Sequence, residues 1–209
     1  MSLVNFFKKI LFFILFYFIF LNTSFAVDSA ISSKLSRCVT CHTMSGNSIV
    51  PIWPKIAEQH FDYVIKQLME FKKGKDGDRF DPNMFAMLQG ISENELVELA
   101  EYFSKQPLEK SKGSPNLIRF DLGKKIYFYG DSSNKVTGCV GCHGIDGNGN
   151  KLAKFPILKW QHRDYLVTQM KKFRSGERSN DFNGIMRDIS GCMTDDQMVA
   201  VAEYMSYVE

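Results

Sequence analysis

One pentapeptide occurs twice in the chain, as Cys38-Val39-Thr40-Cys41-His42 and as Cys139-Val140-Gly141-Cys142-His143. C-x-x-C-H is the attachment pattern of a c-type haem. The two thiols add to the two vinyl groups of one porphyrin, and the next residue puts an imidazole under the iron. Four of the five cysteines are accounted for in this way. A disulfide does not require the histidine. Zinc ribbons set their C-x-x-C knuckles roughly 15 to 20 residues apart, whereas these copies lie 101 apart. Two covalently bound haem c groups are therefore expected, on Cys38 and Cys41 and on Cys139 and Cys142. The fifth cysteine, Cys192, is expected as a small buried hydrophobe.

The N-terminus bears on where this happens. Residues 1–26 read as a secretory signal peptide. Lys8 and Lys9 precede the apolar run Ile10 to Leu21, and Ser24-Phe25-Ala26 supplies the small residues of a cleavage site. The run is shorter than the 20 or so residues that span a bilayer. An uncleaved N-terminal anchor is the alternative. Either way the rest of the chain is exported, which in a Gram-negative bacterium means the periplasm. The net charge of +3 over 209 residues leaves no basic footprint for nucleic acid.

The exported part is a tandem repeat. Pro54 to Tyr63 matches Pro156 to Tyr165 at an offset of 102, including Gln59-His60 and Gln161-His162. Gln67, Lys72 and Gly74 recur as Gln169, Arg174 and Gly176. Repeats of this length are domains rather than solenoid units. Phe61, Val64, Ile65 and Leu68 follow the i, i+3, i+4, i+7 template of an amphipathic helix, and Leu166, Met170 and Phe173 follow it in part. A second helix in each half is announced by a capping box, Ser92 to Glu95 and Thr194 to Gln197. Leu122 to Phe128 has helical character before the second haem motif. In the first half only Val27 to Arg37 precedes the motif, so a short opening helix is expected. No period-2 strand pattern occurs.

The expected fold is all-α, with two tandem domains each packed around its haem. Residues 27–106 form the first, 107–115 the linker and 116–209 the second. Domains this small build a limited apolar core of their own, and the porphyrin becomes part of it.

The second axial ligand decides the chemistry, because an iron with two strong ligands is largely confined to electron transfer. Among the ten methionines, only Met84 and Met186 are methionine in both halves. They follow His42 and His143 by 42 and 43 residues, and each lies eight residues before its capping residue. Met84 and Met186 are therefore expected opposite His42 and His143 on the two irons. His60 and His162 also match across the repeat, but their place at a helix start suits hydrogen bonding better. The carbonyls of Pro54 and Pro156 are expected to accept the Nδ1–H of the axial histidines and fix the rings.

Two C-x-x-C-H domains with Pro-x-[Ile/Leu]-x-x-Gln, a Tyr-bearing helix, a downstream Met and a [Ser/Thr]-[Asp/Glu]-x-[Glu/Gln] final helix resemble the dihaem cytochrome c4 family. The similarity extends over the whole exported chain. It is fullest in the second half, at Gln161-His162 through Tyr165, Phe173 to Arg178 and Ile185-Met186-Arg187. The resemblance implies two class I cytochrome c folds about a pseudo-twofold, with the haems near each other. It also implies a periplasmic carrier, peripherally associated with the membrane, that takes electrons from a quinol-oxidising complex and passes them to a terminal oxidase. The first haem loop departs from the pattern, with Thr43-Met44-Ser45-Gly46 in place of Gly-x-Asp-Gly, which leaves its local conformation open.

A one-electron carrier is thus the leading reading, with no catalytic residues. A dihaem peroxidase-like or small-ligand reductase enzyme would need an open iron and distal acid–base residues. A fixed electron-transfer subunit of an oxidase or dehydrogenase complex would share the carrier's chemistry. Residues 27–110 hold 10 Lys/Arg against 12 Asp/Glu, and residues 111–209 hold 14 against 11, so the two halves are expected to steer different partners.

Overall fold

Helix-favouring periodicity and strong caps lay down the frame seen in the computed structural model, which describes residues 29–209. The expected signal peptide, residues 1–26, lies outside the described residues. The helices are α1 (Ser29–His42), α2 (Phe61–Lys72), α3 (Pro82–Met87), α4 (Glu93–Ser104), α5 (Leu117–Tyr129), α6 (Val140–His143), α7 (Arg163–Ser175), α8 (Ile185–Cys192) and α9 (Asp195–Tyr207). Among the described residues, strand pairing is limited to isolated bridges such as Arg79 with Arg178. No described helix is long and apolar enough to cross a membrane. The fold is all-α, two class I cytochrome c folds in tandem.

The final helix of each half begins as its sequence demands. Ser92 Oγ accepts from the Glu95 N–H while Glu95 returns a bond to the Ser92 N–H, and Thr194 and Gln197 do the same on α9. Such a cap satisfies two otherwise orphaned donors. Leu96, Leu99, Ala100 and Phe103 of α4 face inward, as do Met198, Val201, Ala202 and Met205 of α9. Gly123 lets α5 cross α9 closely: a Cβ there would collide with the Ala200 carbonyl. Tyr127, one turn on, is fully buried and donates to the Gly144 carbonyl at 2.6 Å, which ties α5 to the second haem motif.

The opening helices differ from expectation. The 14-residue α1 is no shorter than the 13-residue α5, because it runs on through the first motif and ends at His42. In the second half Gly130, at φ 68°, ends α5, and the chain turns through Ser132–Asn134 before reaching Cys139. Glycine takes this conformation without steric penalty.

Residues Lys34–Glu209 form one compact unit, preceded by the unit to which the first turn of α1 belongs. Stretch 107–115 is tied to both halves within it. Asn47 bonds the Pro107 carbonyl and the Glu109 N–H, each at 2.9 Å, and Ser111 donates to the Trp160 carbonyl at 3.1 Å. Lys66 donates to the Asn180 carbonyl at 2.8 Å and the Ser179 N–H to that of Asp78 at 2.7 Å, so the halves are joined directly as well.

Candidate haem centres

Cys38, Cys41 and His42 fall at i, i+3 and i+4 of α1, which brings them to one side of the helix. The second motif reaches the same arrangement in a single turn. Cys139 caps α6, and the His143 N–H bonds the Cys139 carbonyl at 2.9 Å. All four motif cysteines are free and half-buried. Burial pushes the Cys38 thiol up to about 11 and that of Cys139 to about 12.

His42 and His143 are each 7% exposed. His42 Nδ1 lies 2.9 Å from the Pro54 carbonyl and His143 Nδ1 lies 3.0 Å from that of Pro156. A carbonyl only accepts, so Nδ1 carries the proton and Nε2 keeps its lone pair. Burial lowers both imidazole pKa values, against the opposing pull of the proline carbonyl, and favours the neutral, ligating ring. The prolines are held in turn: Gly46 O accepts from the N–H groups of Ile56 and Ala57, and Gly147 O from those of Leu158 and Lys159.

The methionines sort by burial. Met170, Met193, Met198 and Met205 belong to the core, while Met44 and Met87 are 58% and 43% exposed. Met84 and Met186 are half-buried in the first turns of the short helices α3 and α8. An aspartate anchors each turn. Asp81 accepts from the N–H groups of Asn83 and Met84, and Asp181 accepts from the Arg187 N–H. Met69 is also half-buried, but its repeat counterpart is Lys171.

His162 donates from Nε2 to the Ser48 carbonyl at 2.8 Å, across to the other half. Its counterpart His60 lies beside the Asn148 backbone of the other half, its buried Nε2 short of full hydrogen-bond geometry among the described residues. The Thr43 loop follows the glycine-rich one closely: Thr43 takes φ 64° where Gly144 takes 82°, and Gly46 and Gly147 take 71° and 74°. Cys192 corrects the sequence-based expectation. It is exposed, because the end of α8 turns Ser190 and Met193 inward on either side of it.

Sequence reasoning missed an arginine pair between the halves. Arg79 and Arg178 are 6% and 5% exposed. Arg79 donates to Tyr165 Oη at 2.8 Å and Gln169 Oε1 at 3.0 Å, and Arg178 to Tyr63 Oη at 2.9 Å and Gln67 Oε1 at 3.2 Å. Each also stacks on a ring of its own half, Arg79 on Phe71 at 4.4 Å and Arg178 on Phe173 at 4.3 Å. These exchanged contacts describe a pseudo-twofold. Burial raises the Tyr63 pKa, but the guanidiniums of Arg178 and Arg79 outweigh it and hold the phenol below its usual range. Among the described residues no carboxylate forms an ion pair with either arginine. Two buried cations facing only neutral oxygens are costly unless anions join them, and the two carboxylates of a haem have the required chemistry. The signal in the sequence was an acid–Arg dipeptide after a glycine, Asp78-Arg79 and Glu177-Arg178. A register shift of three residues hid it.

Residues 120–209 match the cytochrome c family model. Cytochrome c4 of Thiocapsa roseopersicina is 39% identical over 169 residues, which cover 80% of this chain and 85% of that protein. The thiosulfate dehydrogenase electron acceptor of Stutzerimonas stutzeri (strain A1501) is 30% identical, covering 82% of this chain and 78% of its own. The crystal structure of reduced recombinant cytochrome c4 from Pseudomonas stutzeri superposes with a TM-score of 0.80 at 33% identity, covering 87% of this chain and 98% of that one. With that identity carried over both halves and two C-x-x-C-H motifs in place, the chain belongs to the dihaem cytochrome c4 family and is a c-type cytochrome that carries electrons.

Proposed function

We propose that both irons are closed six-coordinate centres, His42 with Met84 and His143 with Met186, on haems attached through Cys38 and Cys41 and through Cys139 and Cys142. The observation that carries this reading is the pair of His Nδ1 to proline carbonyl bonds, which leave Nε2 of each motif histidine to face the iron. Haem supplies one-electron Fe(III)/Fe(II) chemistry. The chain's own residues hold the rings, exclude water and keep both ligands through the cycle, so little bonding rearranges on transfer. Arg79 and Arg178 would answer the porphyrin carboxylates between the halves.

The protein works in the periplasm, peripherally associated with the cytoplasmic membrane, as a mobile carrier in a respiratory chain. Its donor is a quinol-oxidising complex and its acceptor a terminal oxidase. The acidic first half and the basic second half support docking of two partners of opposite character. A relative named as the electron acceptor of a thiosulfate dehydrogenase supports a donor of that class in place of the quinol-oxidising complex.

The test is the oxidised spectrum of the holoprotein. A Met-to-iron charge-transfer band is expected, halved in Met186→Ala and lost when Met84→Ala is added, with no carbon monoxide binding by the reduced wild type. Rapid stoichiometric carbon monoxide binding at one haem of the wild type would instead identify an open iron and an enzyme.

A further inference from the structure

Gln59 and Gln161 recur in register, and the side chain of each bonds the opposite half. Gln161 Oε1 accepts from the Lys55 N–H at 2.9 Å, and its Nε2 donates to the Lys55 carbonyl at 2.7 Å. Gln59 does the same to Ile157, accepting at 2.9 Å and donating at 3.0 Å. Each side chain thus clasps one residue of the opposite half by both backbone groups. Both glutamines are buried, at 8% and 7% exposure.

The residue clasped matters. The Lys55 N–H and the Pro54 carbonyl are the two ends of one peptide group, and that carbonyl accepts from His42 Nδ1. The Ile157 N–H and the Pro156 carbonyl form the corresponding peptide beside His143. An amide that donates at nitrogen becomes a stronger acceptor at oxygen, because hydrogen bonds in a chain polarise one another. A stronger acceptor at Nδ1 makes the imidazole a more basic ligand. A more basic ligand favours the ferric iron.

We propose that Gln161 is a positioning residue for His42 and Gln59 one for His143, so that each half sets the ligand strength of the other half's axial histidine. The two relays, Gln161–Lys55/Pro54–His42 and Gln59–Ile157/Pro156–His143, cross between the halves in opposite directions. This rests on the reading of His42 and His143 as axial ligands. It makes the interface part of each redox centre, since loosening it changes both irons.

The test replaces Gln161 by Leu in the dihaem holoprotein, removing both bonds to Lys55, together with the local one from the His162 N–H at 3.0 Å, while keeping the bulk. The Pro54 carbonyl then becomes a weaker acceptor and the first haem favours Fe(II). The expected shift in its ferric/ferrous ratio is about threefold, smaller than the 10- to 100-fold effects of directly bonded outer-shell partners. At 59 mV per tenfold for one electron this is a rise of about 28 mV. The second haem stays within about a quarter of that shift. The His42 Nδ1–H proton signal of the reduced protein moves upfield, as a weakened hydrogen bond requires, and that of His143 does not. Gln59→Leu gives the mirror result and carries the test alone if Gln161→Leu does not fold. Equal shifts at both haems, or none at either, overturn the relay. Axial ligation is judged separately in the wild type: His ring signals without the porphyrin ring-current displacement would overturn that reading first, whereas displaced signals with unmoved potentials overturn the relay alone.

Discussion

The two haem motifs reach one end geometry by different routes. The first rides on a helix that continues unbroken from Ser29 to His42, and the second sits on a one-turn helix after the excursion that begins at Gly130. The loops beyond them differ too, with Thr43 and Ser48 where the second half has Gly144 and Gly149. Yet the histidine-to-proline distances agree at 2.9 and 3.0 Å, and the same glycine carbonyl holds the chain beyond each proline. The contacts that meet a cofactor are repeated, and the paths that deliver them are free to vary. Local chemistry must then compensate in each half separately, which makes the halves unequal in what they tolerate.

The largest inequality is expected at Gly149. Its φ is 71°, and a Cβ there would run into the carbonyls of Phe155 and Pro156. Gly149→Ala combines overpacking with a left-handed alanine, a loss of about 3 kcal/mol. The displaced carbonyl is the acceptor for His143, so the second haem alone is expected to change its spectrum. In the first half Ser48 holds the comparable place and donates to the Trp53 carbonyl, so Ser48→Ala costs only about 1 kcal/mol. Denaturant unfolding of the reduced holoproteins compares the two. Equal losses would mean that the two loops are interchangeable after all.

Gly144→Thr is the next step down. Gly144 lies at φ 82° and ψ 166°, a region almost confined to glycine, where another residue costs roughly 1 to 3 kcal/mol. A Cβ would find space, its nearest neighbour being the Gly149 carbonyl at 3.6 Å, so the cost is purely one of backbone strain. A drop in thermal midpoint without change in either haem spectrum is expected. A changed second-haem spectrum would show that the strain spreads to His143.

Much of this frame was legible because it is local. The capping boxes and the amphipathic face beginning at Phe61 sit at fixed spacings and form as read, while the repeat singles out Met84 and Met186 as the candidates for the irons. What crosses between halves was not legible. Gln59, Gln161, Tyr63 and Tyr165 stood out as repeated residues, but nothing along the chain says that each bonds the opposite copy. The Arg79–Arg178 pair was hidden by unequal loop lengths. Cys192 misled because cysteine is usually buried, whereas its burial depends on which residues α8 turns inward.

The caps offer a comparison in which the halves should agree. Ser92→Ala and Thr194→Ala each remove the bond from the N3 N–H, at 3.3 and 3.2 Å, and Ser92→Ala also removes the hydroxyl's donation to Glu95 at 2.8 Å. Each is expected to lower stability by about 1 kcal/mol. Thr194 is the better embedded, because Gln197 also donates to Asp131 at 2.6 Å. If the losses differ by more than a factor of two, the final helices are not equivalent supports.

The smallest effect is expected where the sequence departs most visibly from its copy. Thr43 holds φ 64°, costly for a β-branched residue, by roughly 1 to 2 kcal/mol. Replacing it with glycine removes that strain but also two compensations. The Thr43 hydroxyl donates to the Asn47 carbonyl at 3.2 Å, a bond worth about 1 kcal/mol. Glycine also loosens the unfolded chain, by a further 0.4 to 1 kcal/mol or so. These terms nearly cancel, and Thr43→Gly is expected to unfold within about 0.5 kcal/mol of wild type. The Gly144→Thr exchange has no such compensation, so the two reciprocal substitutions should be strongly unequal. A gain above about 1 kcal/mol for Thr43→Gly would mean that the hydroxyl contributes nothing, and that the first loop stores strain the second one lacks.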